Sequence, residues 1–155
     1  SQPQTVTPVV LEGVIDLQGR PPKGHESWVT NLTVTFLQDG VVVRTENVTT
    51  DNQGRFTIAI IIGTYDIRVK SVRTLSNLVT GVVIVPGTNL VYFGTLREGD
   101  ANNDNAITAA DYSSLYYYFR AESGPGLDLC DFNRDGVVSG LDYALLWMNF
   151  NQIGE

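Results

Sequence analysis

Two stretches of the chain are written to one plan. Asp100 to Asp111 reads DANNDNAITAAD, and Asp131 to Asp142 reads DFNRDGVVSGLD. Each runs into a helix-like segment, DYSSLYYYF from Asp111 and DYALLWMNF from Asp142, at a shift of 31 residues. Under that shift Tyr112 meets Tyr143, Leu115 meets Leu146 and Phe119 meets Phe150. Offsets of one, four and eight from the aspartate place these apolar residues near one helical face. Residues 99–155 are therefore an internal duplication of loop plus helix. Gly124-Pro125-Gly126 in the connector between the repeats predicts a break, with no continuous helix entering either loop.

Within each loop the oxygen-bearing residues recur with the spacing of a 12-residue calcium loop. Asp100, Asn102, Asp104, Ala106, Thr108 and Asp111 fill positions 1, 3, 5, 7, 9 and 12 of the first. Asp131, Asn133, Asp135, Val137, Ser139 and Asp142 fill those of the second. Calcium is a hard cation that takes six to eight oxygens, so alternate side chains must converge as the loop curls. Position 7 offers only a backbone carbonyl, hence alanine or valine serves, and position 9 is expected to act through water. Position 6 needs a left-handed backbone, which Gly136 adopts freely and Asn105 adopts at some cost. On that ground the first site is expected to be the weaker, and Asn105→Gly is expected to tighten it. The apolar position-8 residues, Ile107 and Val138, are expected to pair the two loops through a short β-contact. Two calcium ions are expected, holding together carboxylate trios that repel one another without them, in a module with little core of its own.

Residues 1–98 have a different texture. Short alternating runs are separated by turn signals at roughly ten-residue spacing, among them Asp39-Gly40 and Asp51-Asn52-Gln53-Gly54. Leu32, Val34 and Phe36 share one face of a run whose other face carries Thr33 and Thr35. About seven strands and no amphipathic helix predict a Greek-key β-sandwich preceded by an extended tail over residues 1–8. The fold class expected is thus mainly β with a small α part. Only Phe93 to Gly99 separates the last strand from the first loop, too short for a free tether, so the modules are expected to pack with Gly99 as the bend.

Charge follows the same division. Residues 1–98 carry eight Lys/Arg and eight Asp/Glu, and residues 99–155 carry two and nine, so the whole net charge of −7 lies in the second part. Such a surface suits cations and argues against nucleic acid or an anionic membrane. No apolar run approaches the roughly 20 residues of a membrane span. The single cysteine, Cys130, is expected in the core beside an acidic neighbour that would suppress its reactivity. The single histidine, His25, sits in a turn-rich stretch, and no nucleophile–base pair accompanies the loop acids, so an enzyme is not expected. Asn31-Leu32-Thr33 and Asn47-Val48-Thr49 match the N-glycosylation triplet, a pattern short enough to recur by chance.

Loop plus exiting helix, twice, with Asp instead of the Glu of generic EF-hands at position 12, resembles the dockerin family over Gly99 to Ile153. That resemblance implies a secreted, extracellular or cell-surface module whose partner is a cohesin-like domain. Positions 10 and 11, which contact cohesin in many dockerins, are Ala109-Ala110 and Gly140-Leu141 here, so symmetric two-way docking is not implied. Tyr116, Tyr117, Leu145 and Met148 are the partner-surface candidates, since aromatic residues and methionine are enriched at interfaces. The stretch TTDNQGRFTIAIIIGTYDIRVKS resembles the carboxypeptidase-regulatory or prealbumin-like sandwiches. Together the two parts look like an X-module–dockerin pair. A different reading makes the chain a filament subunit that assembles with copies of itself through its tail, sandwich and loop module.

Overall fold

A computed structural model describes residues 8–155. The tail expected over residues 1–8 lies, but for Pro8, outside the described residues. Seven strands follow: β1 (Val9–Leu17), β2 (Asn31–Gln38), β3 (Val41–Thr49), β4 (Arg55–Ile60), β5 (Gly63–Ser71), β6 (Asn77–Ile84) and β7 (Thr88–Leu96). They form a three-stranded sheet in the order β4-β1-β7 and a four-stranded sheet in the order β3-β2-β5-β6. Only β2–β3 and β5–β6 are hairpins within a sheet; the other four connections cross between sheets. β1 pairs in parallel with β7 and antiparallel with β4.

Local chemistry explains these elements. At the β2–β3 turn Asp39 and Gly40 both have positive φ (51° and 78°), the two-residue geometry whose twist matches the flanking strands. Gly13 stands at a core-facing position of β1 because Phe56 lies across it: a Cβ there would meet the ring at 2.2 Å. The alternating apolar faces of both sheets close on a core of Leu11, Ile15, Leu32, Val34, Phe36, Phe56, Ile67, Val69 and Phe93. A 3-10 turn at Glu26–Trp28, capped by His25 Nδ1 accepting from Ser27 N, seals one edge of it with Trp28.

Beyond Glu98 come three helices: α1 (Ala109–Tyr117), α2 (Pro125–Cys130) and α3 (Gly140–Met148). The second corrects the sequence expectation, because a short helix does enter the second loop. Pro125 occupies its first turn, where a missing N–H is harmless, and Gly124 takes φ +78° just before it. What reads as a breaker is a helix start. Ile107, Leu115, Cys130, Phe132, Val138, Leu145 and Leu146 form a second core, and Leu75, from the β5–β6 connection, belongs to it. A division at residue 98 therefore cuts the chain but not the packing.

The junction is densely bonded. Arg73 O accepts from Gly99 N (3.1 Å) and Asp100 N (3.0 Å), and Leu75 N donates to Arg97 O (2.8 Å). Gly99, at φ +129°, leaves room for the Leu146 backbone, which a Cβ would meet at 3.1 Å. Arg20 and Glu98 form a fully buried ion pair at 3.0 Å. Burial pushes the Glu98 carboxyl up against the opposing pull of Arg20. Asn149, on the far side, donates to Gln18 Oε1 (2.7 Å) and Glu98 O (2.8 Å).

Candidate functional site

The two loops fold alike, bond for bond. In the first, Asp100 accepts from Asp104 N (3.1 Å) on Oδ1 and Asn105 N (2.9 Å) on Oδ2. In the second, Asp131 accepts from Asp135 N (3.2 Å) and Gly136 N (2.9 Å) on the same atoms. Asp111 accepts from Asn102 N (3.2 Å) and Thr108 N (2.8 Å), and Asp142 from Asn133 N (3.1 Å) and Ser139 N (2.8 Å). Thr108 with Asp111, and Ser139 with Asp142, also form the capping boxes of α1 and α3. The residue at position 12 is thus N3 of its helix, so the bond that starts the helix also aims the carboxylate into the loop.

These bonds gather Asp100, Asp104 and Asp111 so that one oxygen of each lies within 4.8 Å of the others, and likewise Asp131, Asp135 and Asp142. Burial, with the neighbouring loop charges adding to it, raises the carboxyls of Asp111 and Asp131 and brings Asp142 to about 6. At position 3 of the second loop, Asn133 Oδ1 is a buried acceptor without a hydrogen-bond partner, which a bound ion would satisfy. All donors of the set are oxygens, the choice of calcium over a soft transition metal. A carboxylate offers about four lone-pair sites, so the backbone bonds leave capacity for an ion.

Position 6 has positive φ in both loops, +64° at Asn105 and +90° at Gly136. The position-8 residues, by contrast, do not pair with each other. Ile107 exchanges bonds with Gln152 O (3.0 Å) and Asn151 N (2.7 Å), while Val138 does so with Ala121 O (2.9 Å) and Arg120 N (2.7 Å). Each loop is tied to the segment leaving the other loop's helix. Arg120 and Asn151, equivalent under the 31-residue shift, both turn left-handed to make this possible.

On the helical surface Tyr116, Tyr117 and Met148 are exposed, but Leu145 is only 7% exposed and is no partner-surface residue. Its position on α3 faces the sandwich, where a Cβ on Gly19 would come within 2.8 Å of its Cδ1. To Tyr116 the structure adds Tyr112, Tyr143 and Trp147, exposed aromatic residues that the sequence reading did not name as partner-surface candidates. Tyr116, Tyr112, Tyr143 and Trp147 make one row of rings across α1 and α3 that ends on Phe150, half-buried against the second core just after α3, with neighbouring centroids 5.6 to 6.4 Å apart. Trp147 is 63% exposed and borders an apolar cleft of about 140 Å³ with Tyr112, Tyr143 and Phe150. The matched Tyr112/Tyr143 and Phe119/Phe150 pairs were the available signal, since aromatic side chains repeated on one face are as fit for a surface as for a core.

Cys130 is buried, and desolvation pushes its thiol up to about 12, which makes it inert. Asn31 faces Thr49 and Asn47 faces Thr33 across β2 and β3, each side-chain carbonyl accepting from the threonine opposite (2.8 Å and 3.1 Å). Among the described residues no helix is long and apolar enough to cross a membrane.

The site and fold define a class: a duplicated acidic loop–helix module packed against a β-sandwich. Residues 98–151 match the family model of the dockerin type I domain. The match covers the loop–helix module and leaves the sandwich outside it. A search of curated proteins found no match. The fold resembles that of an N-terminal interface mutant of a type II cohesin–X-dockerin complex from Acetivibrio cellulolyticus, with TM-score 0.73 and 22% identity, covering 94% of this chain and 97% of that one. A C-terminal interface mutant of the same complex matches with TM-score 0.70, 21% identity and the same coverage. The likeness extends over both modules and shows a shared fold.

Proposed function

We propose that this chain is a non-catalytic, calcium-stabilised docking unit that joins a larger extracellular or cell-surface assembly by engaging a cohesin-type domain. The row of four exposed aromatic rings across α1 and α3, Tyr116, Tyr112, Tyr143 and Trp147, carries this reading. A protein surface with that much contiguous aromatic area is suited to burial against a partner. The dockerin type I match to the same segment supports it. Trp147 and Tyr116, the most exposed members of the row, are its main contacts, with Tyr117 and Met148 at the margin. The sandwich acts as a support that holds both loops in place. The matched family model is type I while the similar structures come from a type II complex, so the partner's type rests on the docking residues themselves.

The two calcium ions are held by Asp100, Asn102, Asp104, Ala106, Thr108 and Asp111, and by Asp131, Asn133, Asp135, Val137, Ser139 and Asp142. They neutralise two carboxylate trios and fix the N-termini of α1 and α3, which carry the aromatic row. Cys130 in the second core and Trp28 in the first provide separate reporters. A chelator should expose Cys130 to a thiol reagent while Trp28 fluorescence, read in a Trp147→Phe chain so that it is the sole tryptophan, stays native, and calcium should reverse the exposure. A Cys130 that stays protected in chelator would refute the structural role of the ion.

A further inference from the structure

The sandwich touches both loops, but unequally. Arg73 Nη1 donates to the carbonyl of Ala101 (2.7 Å), position 2 of the first loop. Arg20 Nη1 donates to the carbonyl of Phe132, position 2 of the second. Two arginines from different sandwich segments thus hold equivalent atoms. The symmetry ends at Lys70 on β5. Its ammonium donates to Asp100 Oδ2 (2.9 Å), Asn103 Oδ1 (2.6 Å) and Ser71 O (3.1 Å). The lysine side chain is 18% exposed and the aspartate 0%. Among the described residues no basic side chain forms an ion pair with a carboxylate of the second loop. Arg134, at the position equivalent to Asn103, is exposed.

From this contact, and resting on the calcium reading above, we infer that Lys70 is a built-in counter-ion by which the sandwich lowers the calcium affinity of the first site relative to the second. In the first loop the ammonium is bonded to a ligand carboxylate, whereas the second loop's own cation, Arg134, is exposed and pairs with none of its three carboxylates. Lys70 binds the Asp100 oxygen that also accepts from Asn105 N. Oδ1 remains for the ion, so ammonium and calcium share one carboxylate and repel each other across it. For a single charge acting on a double charge at this range, under near-water screening, the effect is on the order of tenfold in affinity. The second site therefore fills first. The first responds over a higher calcium range, and when empty it is still pinned to the sandwich through Lys70.

The test is calcium titration of the full chain by calorimetry, with the backbone amides of Asn105 and Gly136 followed by NMR as site reporters. Lys70→Met should tighten the first site about tenfold and leave the second within twofold. Lys70→Gln, which keeps a donor for Asn103, should shift it the same way. Lys23→Met makes the same charge change at a surface pair with Asp16 and should alter neither site. An unchanged or weakened first site in the Lys70 variants, an equal shift at both sites, or the same shift from Lys23→Met would overturn the proposal while the two-ion reading stands. A wild-type chain that binds no calcium would overturn both.

Discussion

Asn105→Gly should destabilise the chain, although it supplies the residue that the backbone at position 6 prefers. The relief is real: Asn105 sits at φ +64°, and glycine would remove roughly 1 kcal/mol of left-handed strain. Glycine's extra freedom in the unfolded chain takes back about 0.5–1 kcal/mol of that. The side chain, however, is occupied. Its Oδ1 accepts from Ser76 N (2.9 Å) and its Nδ2 donates to Ser76 Oγ (2.9 Å). Ser76 is fully buried between the modules. Losing two hydrogen bonds at about 1 kcal/mol each, with a buried N–H left unpaired, costs on the order of 2–3 kcal/mol. The carboxamide also lies over Gly154, where a Cβ would sit 2.0 Å from its oxygen, so truncation opens a gap as well. The net loss of about 2 kcal/mol should lower the melting temperature by roughly 4–8 °C in a chain of this size. Thermal unfolding at saturating calcium measures it. A variant as stable as the parent, or more so, would refute the assignment of Asn105 as a latch between modules.

Other expectations concern protons and packing. In the calcium-free chain, Asp142 is raised from 3.8 to about 6 by burial and by the charges of Asp131 and Asp135. A raised carboxyl contributes stability that is fully present below its unfolded value and is lost as pH rises through the folded one. The chelated chain should therefore gain on the order of 2–3 kcal/mol between pH 7 and pH 4 at this group. With calcium the sign reverses, because protons compete for the ligand and affinity falls as pH drops below about 6. Calorimetric melts with and without chelator across that range check both signs, and parallel pH dependences would contradict them. Leu75→Ala should destabilise the loop–helix module by about 2–5 kcal/mol although the residue lies in the sandwich's sequence. Earlier exposure of Cys130 to thiol reagent would report it; unchanged Cys130 protection would count against it.

Much of this architecture was legible in the sequence where a short period or a duplicated spacing carried it. Seven strands, the Asp39-Gly40 turn and the bend at Gly99 follow from local rules. The convergence of each aspartate trio follows from a loop that must curl around a common centre. What stayed hidden depends on which neighbour a face meets. Leu145 reads as a helix-surface residue until Gly19 is seen against it. The α2 helix is disguised by Gly-Pro-Gly, because the same residues that break a helix also start one. Ile107 and Val138 look made for each other, yet each pairs with the segment after the opposite helix. The parallel β1–β7 pairing joins residues roughly 80 apart and leaves no local trace. Lys70, Arg20 and Arg73 sit in strands or turns with nothing in their own sequence to announce a contact with a loop dozens of residues away.

The central claim, a calcium-dependent docking surface on α1 and α3, is tested most directly by binding to immobilised type I and type II cohesins, with calcium and with chelator, for the parent chain and for Trp147→Ala. Trp147 is exposed and outside both cores, so its loss should leave the fold intact. The account predicts binding to a cohesin in calcium, loss of that binding in chelator, and a weakening of roughly thirtyfold or more in Trp147→Ala, the scale of a main aromatic contact. A calcium-loaded chain that binds no cohesin of either type, or binds one equally well without Trp147, would contradict it.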